Sequence, residues 1–92
     1  MKLTDEEVQN KIKDLPLWKY SDGFLSRELE FNSFSEALEF VNNVGKLAEK
    51  MNHHPNILMH DYKKVDITTS THDEGGVTAK DFELARGIEE LT

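Results

Sequence analysis

All four histidines of the chain lie in one segment, between Glu49 and Asp81. They are His53, His54, His60 and His72. Histidine is the side chain best suited to exchange protons near neutral pH. Where two imidazoles converge on a substrate, one can act as a general acid and the other as a general base. The segment therefore predicts a proton-transfer site.

The end of a long helix must position the adjacent pair His53 and His54. We expect this helix to end near Asn52, because Pro55 cannot continue it and disfavours helical geometry at the residue before it. The partial negative charge of a helix C-terminus favours a protonated imidazole. Glu49 lies one turn before His53 and is expected to hold its ring nitrogen.

The last strand and last helix must position His72. This histidine is predicted to end a strand just before the Gly75-Gly76 turn, a frequent location for functional groups. Thr78, with Asp81 three residues later, predicts an N-cap followed by an acid in the first helical turn. Asp81 is therefore interpreted as a capping acid rather than a catalytic one. His60 falls in the middle of a predicted strand and is expected to face solvent.

Periodicity and turn signals predict the remaining elements. They are a first helix over residues 5–14, a hairpin over residues 17–31 turning at Asp22-Gly23, a long helix opened by the capping box Ser33–Glu36, strands over residues 57–62 and 65–71, and a last helix with the core face Phe82, Ala85, Ile88 and Leu91. Arg27 interrupts the apolar face of the second strand of the first hairpin, so we expect this strand to be partly exposed or at an interface. The order α-β-β-α-β-β-α predicts one α+β domain over residues 1–92, a four-stranded antiparallel sheet with helices packed on one face.

Composition excludes several classes of function. The formal net charge is −7 and no Lys/Arg cluster occurs, which argues against direct binding of nucleic acid. The absence of cysteine excludes a disulfide, a thiol nucleophile and a cysteine-based zinc site. No apolar run is long enough to span a membrane, and no signal sequence begins the chain, so a cytoplasmic location is expected.

Other interpretations of the histidines stay open at this point. Imidazole binds zinc, copper and nickel. However, adjacent histidines such as His53 and His54 tend to point apart, and no HExxH spacing appears. Histidines at a helix end are also ordinary surface residues.

The complete spacing of these residues resembles the pterin-4a-carbinolamine dehydratase family. It reads Glu49, three residues, His53-His54-Pro55, six residues, Tyr62, nine residues, His72, eight residues, Asp81. The flanking segments AEKMNHHP, KVDITTSTHDEGG and TAKDFELA are similar as well. The chain departs from many members by having Asn52 in place of an acidic residue before the histidine pair, and Ile57 and Leu58 where several animal members have a tryptophan.

The resemblance implies a hydro-lyase that converts 4a-hydroxytetrahydropterins to quinonoid dihydropterin and water, in tetrahydrobiopterin recycling. The family uses no metal and no redox cofactor. Carried onto this chain, the resemblance implies that the three histidines His53, His54 and His72 line a pterin pocket, with His53 and His72 as the acid/base pair and His54 orienting the pterin. The implied supporting residues are Glu49, which positions a histidine, Asp81, which supports the His72 loop, and Asn52, Pro55 and Tyr62.

Two alternative functions belong to other classes. Some animal relatives also act as binding partners that stabilise the dimerisation of a transcription factor. The other alternative for this chain is a dehydratase-like protein that serves a pterin step in molybdopterin metabolism. The broad apolar surface of the Ala37–Met51 helix predicts a homodimer or homotetramer. An intact histidine set favours the enzyme, because a pure interaction module has no physical need for it.

Overall fold

The computed structural model describes residues 1–92, and its helices and strands follow the predicted order. They are α1 (Asp5–Lys11), β1 (Lys19–Ser21), β2 (Phe24–Glu30), α2 (Phe34–Met51), β3 (Asn56–His60), β4 (Lys64–Thr69) and α3 (Ala79–Glu90), with short 3₁₀ turns at Ile12–Asp14 and His72–Glu74. None of the helices is both long and apolar enough to cross a membrane.

The four strands form one antiparallel sheet in the order β1-β2-β4-β3. Along the central strand β4, Val65, Ile67 and Thr69 are buried, whereas the residues between them are half-exposed. Since side chains alternate between the two faces of a strand, this pattern means that only one face of the sheet is covered. The α+β prediction is confirmed.

Helices α1, α2 and α3 cover that face. Val8 of α1, Val44 of α2 and Phe82 of α3 are fully buried in the same core as Leu25 and Ile67 of the sheet. The prediction that Leu91 belongs to the core is wrong. Leu91 follows the last residue of α3 and remains 39% exposed, while Leu84 is fully buried instead.

Local signals in the sequence account for most element boundaries. The side chain of Ser33 accepts the N–H of Glu36, as an N-cap should, although the Glu36 carboxylate accepts from the N–H of Asn32 rather than from Ser33. Asp22 and Gly23 both have positive φ, 53° and 82°, which is the geometry of a two-residue hairpin turn. The predicted hairpin is therefore confirmed.

The charge of Arg27 is neutralised inside the chain, while the strand that carries it, β2, is partly exposed as predicted. The Arg27 side chain is only 13% exposed, and its Nε donates to Oε1 of Glu89 at 2.7 Å. The indole N–H of Trp18 donates to the same oxygen, also at 2.7 Å. A buried cation is tolerated when a carboxylate pairs with it, and α3 supplies that carboxylate to the sheet.

Candidate active site

A left-handed residue ends α2 and directs the two histidines that follow it. Asn52 has φ 53° and ψ 42°, its N–H donates to the carbonyl of Glu49 at 3.2 Å, and the N–H of His53 donates to the carbonyl of Ala48 at 3.0 Å. These bonds form a Schellman motif, and asparagine is one of the few residues that tolerates its left-handed position. The two histidine side chains then point in different directions, so that the side chain of His53 is 11% exposed and that of His54 is 58% exposed.

His53 turns inward onto a carboxylate of α3. Its Nε2 lies 2.6 Å from Oδ1 of Asp81, which is fully buried. Asp81 also completes a capping box, since its Oδ2 accepts the N–H of Thr78 at 2.9 Å. Its interpretation as a capping acid is confirmed but incomplete, because the same carboxylate holds a histidine 28 residues earlier.

Two threonine hydroxyls complete the surroundings of Asp81. Thr69 Oγ1 donates to Oδ1 at 2.6 Å and Thr71 Oγ1 donates to Oδ2 at 2.8 Å. Each oxygen therefore faces two donors, His53 and Thr69 on one side and Thr71 and Thr78 on the other. An ionised carboxylate accepts hydrogen bonds and donates none, so four donors match this form. Such pairing makes a buried carboxylate tolerable.

This arrangement distinguishes the two ring nitrogens of His53. With Nε2 engaged by Asp81, Nδ1 is the nitrogen that remains for a substrate. A carboxylate on one ring nitrogen orients the imidazole and stabilises its protonated form during proton transfer. His53 and Asp81 therefore have the geometry of an oriented acid/base group.

Glu49 holds the other histidine of the pair. Its Oε2 contacts Nε2 of His54, and not the ring of His53 as predicted. The reason is the left-handed turn at Asn52, which takes His53 off the helical path that would have placed it one turn above Glu49. Both partners are largely exposed, so this contact contributes little to folding but restricts the ring of His54.

His72 lies on a closed loop beside the same carboxylate. It begins a 3₁₀ turn and is exposed, three residues beyond the end of β4, so the prediction that it ends this strand is wrong. The backbones of Thr71 and Gly76 pair across the base of the loop, and Gly75 adopts φ 73°, which glycine reaches without strain. Because Thr71 bonds to Asp81, the residue before His72 is anchored to the carboxylate that holds His53.

The remaining predicted residues divide between the two ends of β3. Pro55 immediately precedes this strand and is half-buried beside the histidine pair. Tyr62 lies in the turn after it, with φ 50° and 61% exposure. Between the two positions lies β3, which spans about 13 Å from its first to its last residue. A single chain therefore does not bring Tyr62 to His53 and His54.

A cleft of about 380 Å³ adjoins this region. Thr71, Thr78, Glu74 and Lys80 are among the residues that line it, whereas none of the histidines does. It shares Thr71 and Thr78 with the Asp81 network. No group of three His, Asp or Glu side chains in the chain is arranged to hold a metal ion.

His60 lies outside this cluster, at the far end of β3. Its Nδ1 is 3.2 Å from Oδ2 of Asp61 and its Nε2 is 3.0 Å from Oδ2 of Asp66, the latter at ion-pair distance without the alignment of a hydrogen bond. Asp66, with a smaller effect from Asp61, raises the pKa of His60 above its ordinary value of 6.5. His60 therefore lies on the uncovered face of the sheet, 34% exposed, with two carboxylates beside its ring.

The raised pKa of His60 predicts a pH-dependent contribution to stability. This contribution is fully present below about pH 6.5, where His60 is protonated even in the unfolded chain, and is lost as the pH rises through the higher pKa of the folded state. Wild type should therefore exceed His60→Gln in unfolding free energy by more at pH 5.5 than at pH 8.5. Urea unfolding of both proteins at both pH values measures the difference, and an equal gap contradicts the prediction.

Sequence reasoning did not identify the two threonines that complete the Asp81 network. Thr69 gave a detectable signal, because it falls on the same face of β4 as the apolar residues Val65 and Ile67. A hydroxyl at an apolar position of a strand requires a partner inside the fold. For Thr71 we find no comparable signal, since it lies in a loop after the strand.

Proteins of known family match nearly the whole chain. The profile of the family described as Pterin 4 alpha carbinolamine dehydratase matches residues 1–91. Similar proteins include one from Sulfolobus acidocaldarius, 38% identical over 99% of this chain and 99% of its own. One from Burkholderia orbicola is 46% identical over 96% of this chain and 87% of its own. The names of both assign pterin-4-alpha-carbinolamine dehydratase activity provisionally.

Solved structures of similar proteins share the fold of this chain. A protein from Brucella melitensis, described as a transcriptional coactivator/pterin dehydratase, superposes with a TM-score of 0.93 at 33% identity and covers 99% of this chain and 98% of its own. A pterin dehydratase-like protein identified as a RuBisCO assembly factor shares the fold, with a TM-score of 0.66 at 20% identity over 80% of this chain and 84% of its own. From the profile match, the relatives and the spaced histidine pattern, we conclude that this chain belongs to the pterin-4a-carbinolamine dehydratase family.

Proposed function

We propose that this protein is a hydro-lyase that dehydrates 4a-hydroxytetrahydropterins by histidine acid/base catalysis, as a step in tetrahydrobiopterin recycling. Membership of the family and the description of the Brucella melitensis structure support a dehydratase. The observation that carries the proposal is the pairing of His53 with the buried Asp81. It orients one imidazole and leaves its second nitrogen for proton transfer.

The reaction needs two proton transfers and no change of oxidation state. The bond between C4a and its hydroxyl oxygen breaks, and a protonated imidazole gives that oxygen a proton, so that water leaves. The electron pair on N5 forms a double bond to C4a, and the proton on N5 passes to a second base. Two imidazoles of suitable protonation state supply both steps.

Each predicted residue receives a role from its position. His53 uses Nδ1 to exchange a proton, and His72, exposed on its anchored loop, is the second acid/base group. His54, restrained by Glu49, binds and orients the pterin. Asn52 and Pro55 shape the turn that separates the two neighbouring histidines. Tyr62 has no role in this scheme within a single chain.

Self-association through α2 is part of the proposal. Phe34 and Leu38 remain 52% and 42% exposed on this helix, which favours burial against a second copy. The same helix is the surface that a binding function, as in coactivator-like relatives, would use. A cytoplasmic location remains an expectation from the sequence.

The test is an assay with freshly generated 4a-hydroxytetrahydropterin, followed by the absorbance of the quinonoid product. Wild type should accelerate dehydration above the rate in buffer. The control variant His60→Gln should match wild type, because its imidazole lies at the opposite end of β3 from His53 and His54. Folded wild-type protein that leaves the rate at the buffer value contradicts the proposal.

A further inference from the structure

Thr69 is a polar residue at an apolar position of the sheet. It lies on the covered face of β4, in line with Val65 and Ile67, and is 1% exposed. A valine would fill the same volume and is favoured over threonine at a buried strand position, because it buries no polar group. Its hydroxyl is therefore informative, because a buried hydroxyl is tolerated only where it makes a hydrogen bond.

The partner of this hydroxyl is the carboxylate that orients His53. Thr69 Oγ1 donates to Oδ1 of Asp81 at 2.6 Å, and it also lies 3.5 Å from Nε2 of His53. His53 Nε2 reaches the same oxygen at 2.6 Å. Two polar side chains thus meet at Oδ1 of Asp81, and the carboxylate has no exposed surface.

The two oxygens of Asp81 differ in how they are held. Oδ2 accepts from Thr71 and from the backbone of Thr78, whose position is set by the start of α3. Oδ1 also has two partners, His53 and Thr69, but both of them are side chains. Without the Thr69 hydroxyl, the histidine would be the sole donor to this buried oxygen.

We propose that Thr69 is a positioning residue that acts on His53 through Asp81. Its hydroxyl keeps Oδ1 directed at Nε2, so that neutral His53 carries its proton on Nε2 and presents an unprotonated Nδ1 to the substrate. This inference rests on the proposed dehydratase function and deepens it, because it names the residue that selects the reactive nitrogen.

Kinetics with matched variants give the first test. Thr69→Val keeps the volume and removes the hydroxyl, and it should lower kcat about tenfold, the worth of roughly one hydrogen bond, with KM within about twofold of wild type. Thr69→Ser restores the hydroxyl and should recover kcat to within about threefold. Thr68→Val is the control, because Thr68 faces the opposite side of the sheet, where its hydroxyl accepts from Asn56.

Nitrogen NMR of His53, measured without substrate, gives a readout that a purely structural role would not change. Neutral His53 should carry its proton on Nε2 in wild type and in Thr69→Ser, whereas Thr69→Val should show an increased population with the proton on Nδ1. Thr69→Ala serves for the same comparison if the valine variant does not fold. An unchanged tautomer population, or a serine variant as impaired as the valine one, overturns the assignment. The NMR measurement needs no turnover, so it tests the role of Thr69 independently of activity. A wild-type protein that fails to accelerate dehydration would refute the proposed function instead.

Discussion

The double variant His53→Gln/His72→Gln is expected to lose the acceleration of pterin dehydration while remaining folded. Each single variant should lower kcat by about 100-fold, since general acid/base groups contribute about 10²–10⁴ to a rate. The two effects should not multiply, because the two histidines serve the two proton transfers of one elimination. The double variant should therefore be little slower than either single variant and keep no more than about 1% of wild-type kcat.

Glutamine is the appropriate replacement because it separates proton transfer from packing. Its amide N–H can donate to Asp81 as Nε2 of His53 does, but an amide does not exchange protons near neutral pH. His72 is exposed, so its replacement should change the unfolding free energy by no more than about 0.5 kcal/mol. Urea unfolding followed by the fluorescence of the buried Trp18 measures this alongside kcat and KM.

His60→Gln is the matched control for these rates, because it removes an imidazole from the other end of β3. A double variant that keeps half or more of wild-type kcat would contradict the assignment of His53 and His72. Loss of rate in the His60 control as well would point to a general effect of histidine replacement on the fold.

Asp81→Ala is expected to reduce the unfolding free energy by about 3–5 kcal/mol, the usual cost of leaving partners of a buried charge unsatisfied. The carboxylate is fully buried and accepts from His53, Thr69, Thr71 and the backbone of Thr78. Its removal leaves four donors without their acceptor and also breaks the capping box of α3. Against a total stability of about 5–15 kcal/mol for a domain, this loss is large.

Two further variants define the origin of this effect. Asp73→Ala removes an exposed acid from the neighbouring loop and should change stability by no more than about 0.5 kcal/mol. The unfolding free energy of Asp81→Asn should lie between those of wild type and Asp81→Ala. The amide keeps one acceptor oxygen but directs its NH₂ group at existing donors. An Asp81→Ala protein within about 1 kcal/mol of wild type would show that the network does not stabilise the fold.

Most of the fold was predictable because it depends on interactions between residues that are close in sequence. The hairpin at Asp22-Gly23, the N-caps at Thr4 and Thr78, and the helix end near Asn52 each depend on groups within a few residues of one another. Burial in β4 follows its alternation of apolar and polar residues, as expected for a sheet covered on one face. The spaced histidine pattern identified the family for a similar reason, because spacing along the chain is a property of sequence alone.

Predictions that required the position of distant residues were less successful. Helical spacing placed Glu49 below His53, but the left-handed residue Asn52 intervenes, and Glu49 meets His54 instead. The strand that carries Arg27 was predicted to be partly exposed, but the partner of its charge, Glu89 of α3, lies 62 residues away and was not predicted. Both cases concern charged groups whose partners are chosen by packing.

Patterns along the chain were enough to predict the element order, the main turns and the set of histidines that places the chain in its family. The pairing of His53 with Asp81, and the sharing of that carboxylate by Thr69 and Thr71, became visible only in the folded molecule. They could not be predicted because hydrogen bonds at a buried carboxylate depend on which helix and strand are packed together. That packing is set by the whole apolar core, and no local pattern of residues records it.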